Sequence, residues 1–328
     1  MTDVPFKRVP ADGKLKVGMV LPVMRRWEEL RPLALHAEAI GLDSLWMVDH
    51  FQVDHIANAR QAGREVTPEV EAQGVEGRWE CWSMLTALAV ATERVELGSL
   101  VTNTGYRNPA LLAKIADTVD DISGGRLTLG VGAGDFELEH RNFGYRWDNR
   151  VDRFEEALQI IRPLLRNRYV DFQGEYYEAN DAVLEPPSAR ATGAPILIGA
   201  LGHGPRMLRL TMEYADKWNA WIGYERSTPD ALKLILERID AACEKHGRDP
   251  ATLERTVTVG VKLPGHAYPA RTANVEPIAG SPAEIAEQLH AFTALGVTHI
   301  QIFLVPPTIE GLDYIAPAIE LLNSSARR

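Results

Sequence analysis

Asp49 and His50 stand side by side just after a short apolar run, residues 44–48, and form a pair in the 328-residue sequence whose types point to proton chemistry. Histidine gives or takes a proton near neutral pH, and an adjacent carboxylate can fix its orientation or tautomer. The same pair also suits a histidine that only hydrogen-bonds at the rim of a fold. A second run, Gly98-Ser99-Leu100-Val101-Thr102-Asn103-Thr104-Gly105, carries short hydroxyl and amide side chains that can read the edge of a polar heterocycle, although such residues also stabilise ordinary loops. A third run, Gly130-Val131-Gly132-Ala133-Gly134-Asp135, starts like a dinucleotide fingerprint but has Asp135 where the third glycine belongs. Gly132 and Gly134 suit close approach of a flat ligand to the backbone, with Asp135 as a candidate acid or polar anchor; a tight turn with a helix-capping carboxylate is the structural alternative. A fourth run, Gly199-Ala200-Leu201-Gly202-His203-Gly204-Pro205, leads into a helical pattern through Met207, Leu208 and Leu210. Its backbone N–H groups at a helix start make a natural phosphate cradle, and such turns also occur without a ligand.

Other chemistries lack their residues. His50 and His55 lie five apart within a loop, and Glu139-His140 adds no second ligand at a zinc-like spacing, so no metal is assigned. No G-x-S-x-G elbow or nucleophilic cysteine context occurs. A bound redox cofactor fits the four runs better, because the cofactor then carries the hard chemistry and the protein supplies positioning and one or two proton-transfer groups.

Positioning four such runs at one place demands a particular scaffold. Short apolar runs alternate with longer amphipathic ones along the whole chain, which is the order that builds parallel strands with helical crossovers. The strand candidates are 16–21, 44–48, 95–102, 126–131, 195–200, 217–222, 256–262 and 299–304, eight in number. That count and order predict an α/β (β/α)₈ barrel, whose loops after the strands converge on one mouth. Helix starts carry independent signals: Ser281-Pro282-Ala283-Glu284 joins a cap hydroxyl, a first-turn proline and a third-position glutamate, and Asn108-Pro109 and Thr228-Pro229 repeat the cap-then-proline arrangement. Leu312, Ile315, Ala316, Ile319 and Leu322 share one helical face, and Ile285, Leu289, Phe292 and Leu295 nearly do the same. Two connections exceed simple turns: 51–78, predicted to form a lid over the site, and 167–194, in which Val170, Phe172, Tyr176 and Tyr177 flank Gln173-Gly174 as a hairpin.

Acidic residues outnumber basic ones by 45 to 35, giving a formal charge of -10, and no basic stripe tracks along any segment, which argues against a nucleic-acid partner. No stretch of about 18 uncharged apolar residues occurs, so no membrane-spanning helix is expected. Residues 1–14 lack a secretory apolar core and read as a loose arm, followed by a single domain over 15–328 in a soluble, cytoplasmic protein. Cys81 and Cys243 both fall in helical patterns, where packing is their expected role.

The 97–109 segment, the run from Ile122-Ser123-Gly124-Gly125-Arg126 to Gly134, the stretch Asp152-Arg153-Phe154-Glu155-Glu156-Ala157-Leu158, and Pro195-Ile196-Leu197-Ile198-Gly199 together resemble the luciferase-like flavin- and deazaflavin-dependent oxidoreductases. The likeness spans residues 16 to about 221, with later elements matching in order more than in sequence. It implies that His50 lies beside an isoalloxazine or deazaflavin ring, with Asp49 as its acidic neighbour. It implies a non-proline cis peptide at Ser99-Leu100, a ring pocket lined by Thr102 and Asn103, and a cofactor phosphate received by the turn Ala200, Leu201, Gly202, His203 and Gly204. Asp135 takes the place of a glutamate that acts as catalytic acid in some deazaflavin-dependent relatives. The His50 and Asp135 pairing favours coenzyme F420, with hydride passing between its C5 and a small organic substrate and His50 as proton donor or acceptor. The alternative is reduced FMN and a monooxygenase reaction, which would call for a flavin reductase as partner. A third reading is a cofactor-binding barrel without turnover, against which the retention of His50 beside Asp49 argues. Trp79 and Trp221 are the candidate apolar walls for substrate, and a homodimer is the expected assembly.

Overall fold

All eight apolar runs become strands, each too apolar to survive with either face in water. In a computed structural model, which describes residues 14–61, 63, 65–199, 204–223, 226–268 and 276–325, they are β1 (Lys16–Val20), β2 (Ser44–Met47), β3 (Glu96–Ser99, resumed at Thr102–Asn103), β4 (Leu127–Gly132), β5 (Ile196–Gly199), β6 (Lys217–Trp221), β7 (Glu254–Lys262) and β8 (Val297–Val305). Each pairs in parallel with the next, and β8 pairs with β1, so the sheet closes and leaves no edge. The helices α1 (Trp27–Ala39), α2 (Cys81–Ala91), α3 (Pro109–Ile122), α4 (Arg150–Asn167), α5 (Pro205–Tyr214), α6 (Pro229–Lys245), α7 (Pro282–His290) and α8 (Ile309–Ser325) follow the strands in turn. This is the (β/α)₈ barrel expected from the order of elements.

The capping chemistry sits where the sequence put it. Asn108 Oδ1 accepts the N–H groups of Ala110 and Leu111, Thr228 caps α6, and Ser281 with Glu284 forms a reciprocal capping box on α7. Each cap meets backbone donors that a helix start would leave unpaired. Cys81 and Cys243 are buried in α2 and α6, as packing residues would be.

The barrel interior has charged, neutral polar and apolar filling. Near its lower rim, Lys16 and Lys217 both reach Glu96, Lys217 also lies 3.2 Å from Glu254, and His299 Nε2 lies 2.6 Å from the Ser44 hydroxyl. Elsewhere in the interior, Asn219 bonds Thr256, Thr258 and Gln301, and an apolar plug is formed by Val20, Trp46, Leu100 and Leu197. The indole of Trp46 is wholly buried. It fits only because β3 carries a glycine beside it: a Cβ on Gly98 would lie 2.2 Å from the ring.

The strand expected over 95–102 is interrupted. Leu100 and Val101 leave the sheet through a cis peptide between them, and pairing with β4 resumes at Thr102. The Ser99 carbonyl packs so tightly on β4 that a Cβ on Gly130 would lie 1.9 Å from it, while Leu100 turns into the apolar plug. The cis bond therefore falls one residue later than the Ser99-Leu100 position expected.

Both long connections carry structure of their own. In the first, Gln52–Asp54 pairs antiparallel with Val75–Gly77, enclosing the helices His55–Gln61 and Pro68–Gln73, and Arg78 N–H closes the base on the Phe51 carbonyl at 2.8 Å. In the second, Tyr169–Gln173 and Glu178–Val183 form the expected hairpin. Among the described residues no helix is long and apolar enough to cross a membrane.

Candidate active site

His50 follows β2 at the end of the barrel where strands give way to loops, with its side chain 24% exposed. The imidazole Nδ1 lies 2.8 Å from Oε2 of Glu139, a carboxylate on the short helix Glu137–Asn142 that follows β4. Glu139 is 1% exposed and collects further donors: the Tyr106 hydroxyl at 2.7 Å on Oε2, and the backbone N–H groups of Phe51 and Gln52 on Oε1. Burial alone would raise the Glu139 pKa, but the His50 contact, the Tyr106 hydroxyl and the Gln52 N–H together hold it below the ordinary carboxylate value. Burial likewise works against a charged His50; the Glu139 bond and the charges of Asp135 and Glu139 outweigh it and raise the imidazole pKa, with Arg78 opposing. With Glu139 ionised, Nδ1 carries the proton that it donates, and Nε2 has no hydrogen-bond partner among the described residues. The imidazole is thus poised to exchange a proton through Nε2.

Asp49 does not perform the orienting role its position suggested. Its carboxylate is buried and bound in two-pronged fashion by Arg107, at 2.6 and 3.0 Å, and it accepts the Asn103 N–H at 3.2 Å. Burial pushes the Asp49 pKa up, with the Arg107 charge opposing that shift. Arg107 also bonds Glu80, whose carboxylate caps α2 by accepting the Trp82 and Ser83 N–H groups. A chain of charge-assisted contacts therefore runs from the His50 backbone neighbour to a helix start and fixes the mouth from behind.

A cluster of rings packs around this region. Phe51 lies 4.7 Å from both Tyr106 and Phe143 between ring centroids, and His140 lies 4.8 Å from Tyr106 and 5.0 Å from Trp147. Offset and edge contacts of this kind stabilise beyond their buried area. Asn103 is locked among them: its Oδ1 accepts the Gly105 N–H at 2.9 Å, and its Nδ2 donates to His140 Nε2 at 3.0 Å.

The remaining sequence candidates separate into those at the mouth and those beneath it. Ser99 is fully buried, with its hydroxyl donating to the Gly130 carbonyl and accepting the Gly130 N–H. Leu100 belongs to the barrel plug. Both side chains are taken up beneath the mouth, by β4 and by the plug. Thr102 is buried with its hydroxyl unpaired among the described residues; Gly132, at the end of β4, pairs with Asn103, and Gly134 follows on the β4 loop. Gly134 has φ +84°, and a Cβ there would lie 2.5 Å from the Asn103 amide nitrogen, so a larger residue is excluded twice over. Asp135 is exposed and reaches His50 only through its field. Gly204 is the N-cap of α5 in extended conformation, followed by Pro205 at the first helical position. Ala200, Leu201, Gly202 and His203 lie outside the described residues. Trp79 is 49% exposed, and its N–H donates to the Val23 carbonyl at 3.2 Å, next to exposed Met24. Trp221 ends β6 with its ring 6.4 Å from Phe303.

Glu139, Tyr106 and Arg107 are the residues that the sequence did not assign. Glu139 stands 89 positions from His50, and its sequence neighbourhood points at most to metal ligation. No spacing links the two, since the barrel closure brings the β2 and β4 loops together.

A closed eight-stranded barrel with a histidine held by a buried carboxylate beyond the ends of its strands is the arrangement of a barrel enzyme. A sequence model for the luciferase-like monooxygenases matches residues 12–265, and the chain belongs to that family of oxidoreductases. It is 34% identical over 233 residues to phthiodiolone/phenolphthiodiolone dimycocerosates ketoreductase of Mycobacterium tuberculosis, covering 69% of this chain and 58% of the relative. This chain therefore matches well under two thirds of that relative's length. It is 30% identical over 278 residues to 5,10-methylenetetrahydromethanopterin reductase of Archaeoglobus fulgidus, covering 84% of this chain and 73% of the relative. The fold matches that of an F420-dependent secondary alcohol dehydrogenase in complex with an F420-acetone adduct, with TM-score 0.73, 20% identity, and 93% and 99% of the two chains covered.

Proposed function

We infer that this chain is an F420-dependent oxidoreductase that moves a hydride to or from a small organic substrate, with ketone and secondary-alcohol pairs as the first class to try. The observation that carries the reading is His50 at the barrel mouth, with Nδ1 held by buried Glu139 and Nε2 without a partner among the described residues. Features that suit a flat cofactor are the glycines at 132 and 134, which keep side chains off the end of β4, and the start of α5 at Gly204, whose first turn could meet a phosphate. F420, when bound, supplies or takes up the hydride. His50 then gives a proton from Nε2 to a substrate oxygen in the reductive direction, and takes one back in the oxidative direction. The supporting carboxylate is 1% exposed, and in such a low-dielectric setting its hold on the imidazolium is stronger. The reductase and ketoreductase relatives support hydride chemistry over oxygenation.

The test is a titration of the purified protein with F420 and with FMN, each oxidised and reduced, followed by absorbance. Binding of F420 with turnover of a ketone is the expected result. Binding of FMN alone would replace the reading with a reduced-flavin monooxygenase, and binding of neither would overturn the cofactor assignment. In the loaded enzyme, His50→Ala should lower kcat at least about a hundredfold, the usual scale of general acid-base catalysis, with cofactor affinity little changed. Equal activity in the variant would remove His50 from the reaction.

A further inference from the structure

We propose that Glu139 is the positioning residue of this site, fixing the tautomer and protonation of His50 and at the same time anchoring the root of the 51–78 excursion. The role of His50 in turnover rests on the function proposed above, whereas the coupling of Glu139 to His50 is a property of the free protein.

The argument starts from the distribution of donors. Glu139 has two oxygens and four donors: His50 Nδ1 and the Tyr106 hydroxyl on Oε2, and the Phe51 and Gln52 N–H groups on Oε1. No neutral side chain of the same size can serve all four. Glutamine keeps one accepting oxygen and turns an NH₂ group toward the other pair, so it must abandon either the imidazole and hydroxyl or the two backbone groups. A buried carboxylate in this arrangement is therefore specific for negative charge, and a structural hydrogen-bonding role alone would not require it.

The charged groups around His50 come from three elements. Glu139 and Asp135 face it from the β4 loop, Asp49 precedes it on its own loop, and Arg78 approaches from the far end of the excursion. Asp49 is committed to Arg107, and Asp135 is exposed to solvent. Of these charged groups, only Glu139 hydrogen-bonds the imidazole among the described residues. The same carboxylate receives the backbone of Phe51 and Gln52, the first residues of the excursion, whose strand Gln52–Asp54 then pairs with Val75–Gly77. Movement at the excursion's root would thus be felt by the histidine through one carboxylate.

The test uses the full-length protein without cofactor, with histidine rings labelled in ¹⁵N and ¹³C and the His50 resonance assigned by its loss in His50→Ala. The ring nitrogen shifts should report protonation at Nδ1 in the neutral form, and the titration midpoint should lie above the ordinary histidine value. In Glu139→Gln the midpoint should fall by at least about one pH unit, as expected when an opposite charge in contact is removed. In Tyr106→Phe, Glu139 loses a competing donor, and the His50 midpoint should rise. Glu139→Asp keeps the charge and should give a midpoint nearer the wild type than to the glutamine variant, which preserves the test if Glu139→Gln folds poorly. An unchanged midpoint in both Glu139 variants, or a fall in Tyr106→Phe, would overturn the proposal. Loss of the midpoint shift with an intact His50→Ala effect on turnover would sink the role of Glu139 alone. A clear midpoint shift beside a fully active His50→Ala enzyme would sink the proposed function alone.

Discussion

Replacing Arg107 by leucine removes the only cation in contact, among the described residues, with a carboxylate that has almost no access to water. In the folded protein Asp49 is 1% and Arg107 11% exposed, and the two meet through two hydrogen bonds of 2.6 and 3.0 Å. Solvent cannot take over the lost partner, so the cost is that of breaking a buried pair, about 3–5 kcal/mol. An unfolding entropy of about 2.1 cal/mol/K per residue gives a chain of 328 residues roughly 0.7 kcal/mol/K, so Tm should fall by about 4–7 °C. The penalty must also depend on pH. Burial already holds the Asp49 pKa above its ordinary value in the presence of Arg107, and removing the guanidinium raises it further. The folded form then binds the proton more tightly than the unfolded chain, so the penalty is full above the raised pKa and shrinks as pH falls through it. Thermal unfolding by circular dichroism between pH 4 and pH 8 reads both effects. The double variant Asp49→Asn with Arg107→Leu should recover a large part of the loss, since no buried charge is then stranded. An unchanged Tm in Arg107→Leu, or a double variant no more stable than the single one, would refute the argument.

Two further outcomes follow from the barrel interior. Gly98→Ala should lower stability by about 1–3 kcal/mol, because its methyl group would lie 2.2 Å from the Trp46 ring; a wild-type unfolding curve for this variant would contradict the packing of that indole. His299 is fully buried, and burial lowers its pKa to about 3, so its contribution to stability is present above the unfolded value near 6.5 and is lost as pH falls below it, by up to about 1.4 kcal/mol per pH unit. Urea unfolding from pH 6.5 to 5 should therefore show a shallower pH slope in His299→Gln than in the wild type, and parallel slopes would argue against a neutral buried His299.

The family-level features were legible because they are local. Eight apolar runs, the caps at Asn108, Thr228 and Ser281, and the glycine-rich turns each follow from neighbouring residues, and the observed elements begin within a few positions of those expected. The histidine after β2 was legible for the same reason, since any polar residue just past a barrel strand lies at the mouth. The partner assigned to it was not. Adjacency in sequence suggested Asp49, but successive side chains near a strand end point in different directions, and Asp49 turns back to Arg107 while His50 reaches across to Glu139. The same limit applies to Ser99 and Leu100. The sequence placed them at the right level of the barrel, and only the packing of β3 on β4 shows that their side chains are used beneath the site.

What the residues determine by themselves is therefore the order of elements, the closure they imply, and the identity of the groups able to exchange a proton. What only the folded chain decides is which groups meet. The reason is geometric: contacts within a helix turn or strand end are set by a few dihedral angles, whereas the Glu139 and His50 contact spans 89 positions and exists only because the barrel closes with the β2 and β4 loops on one face.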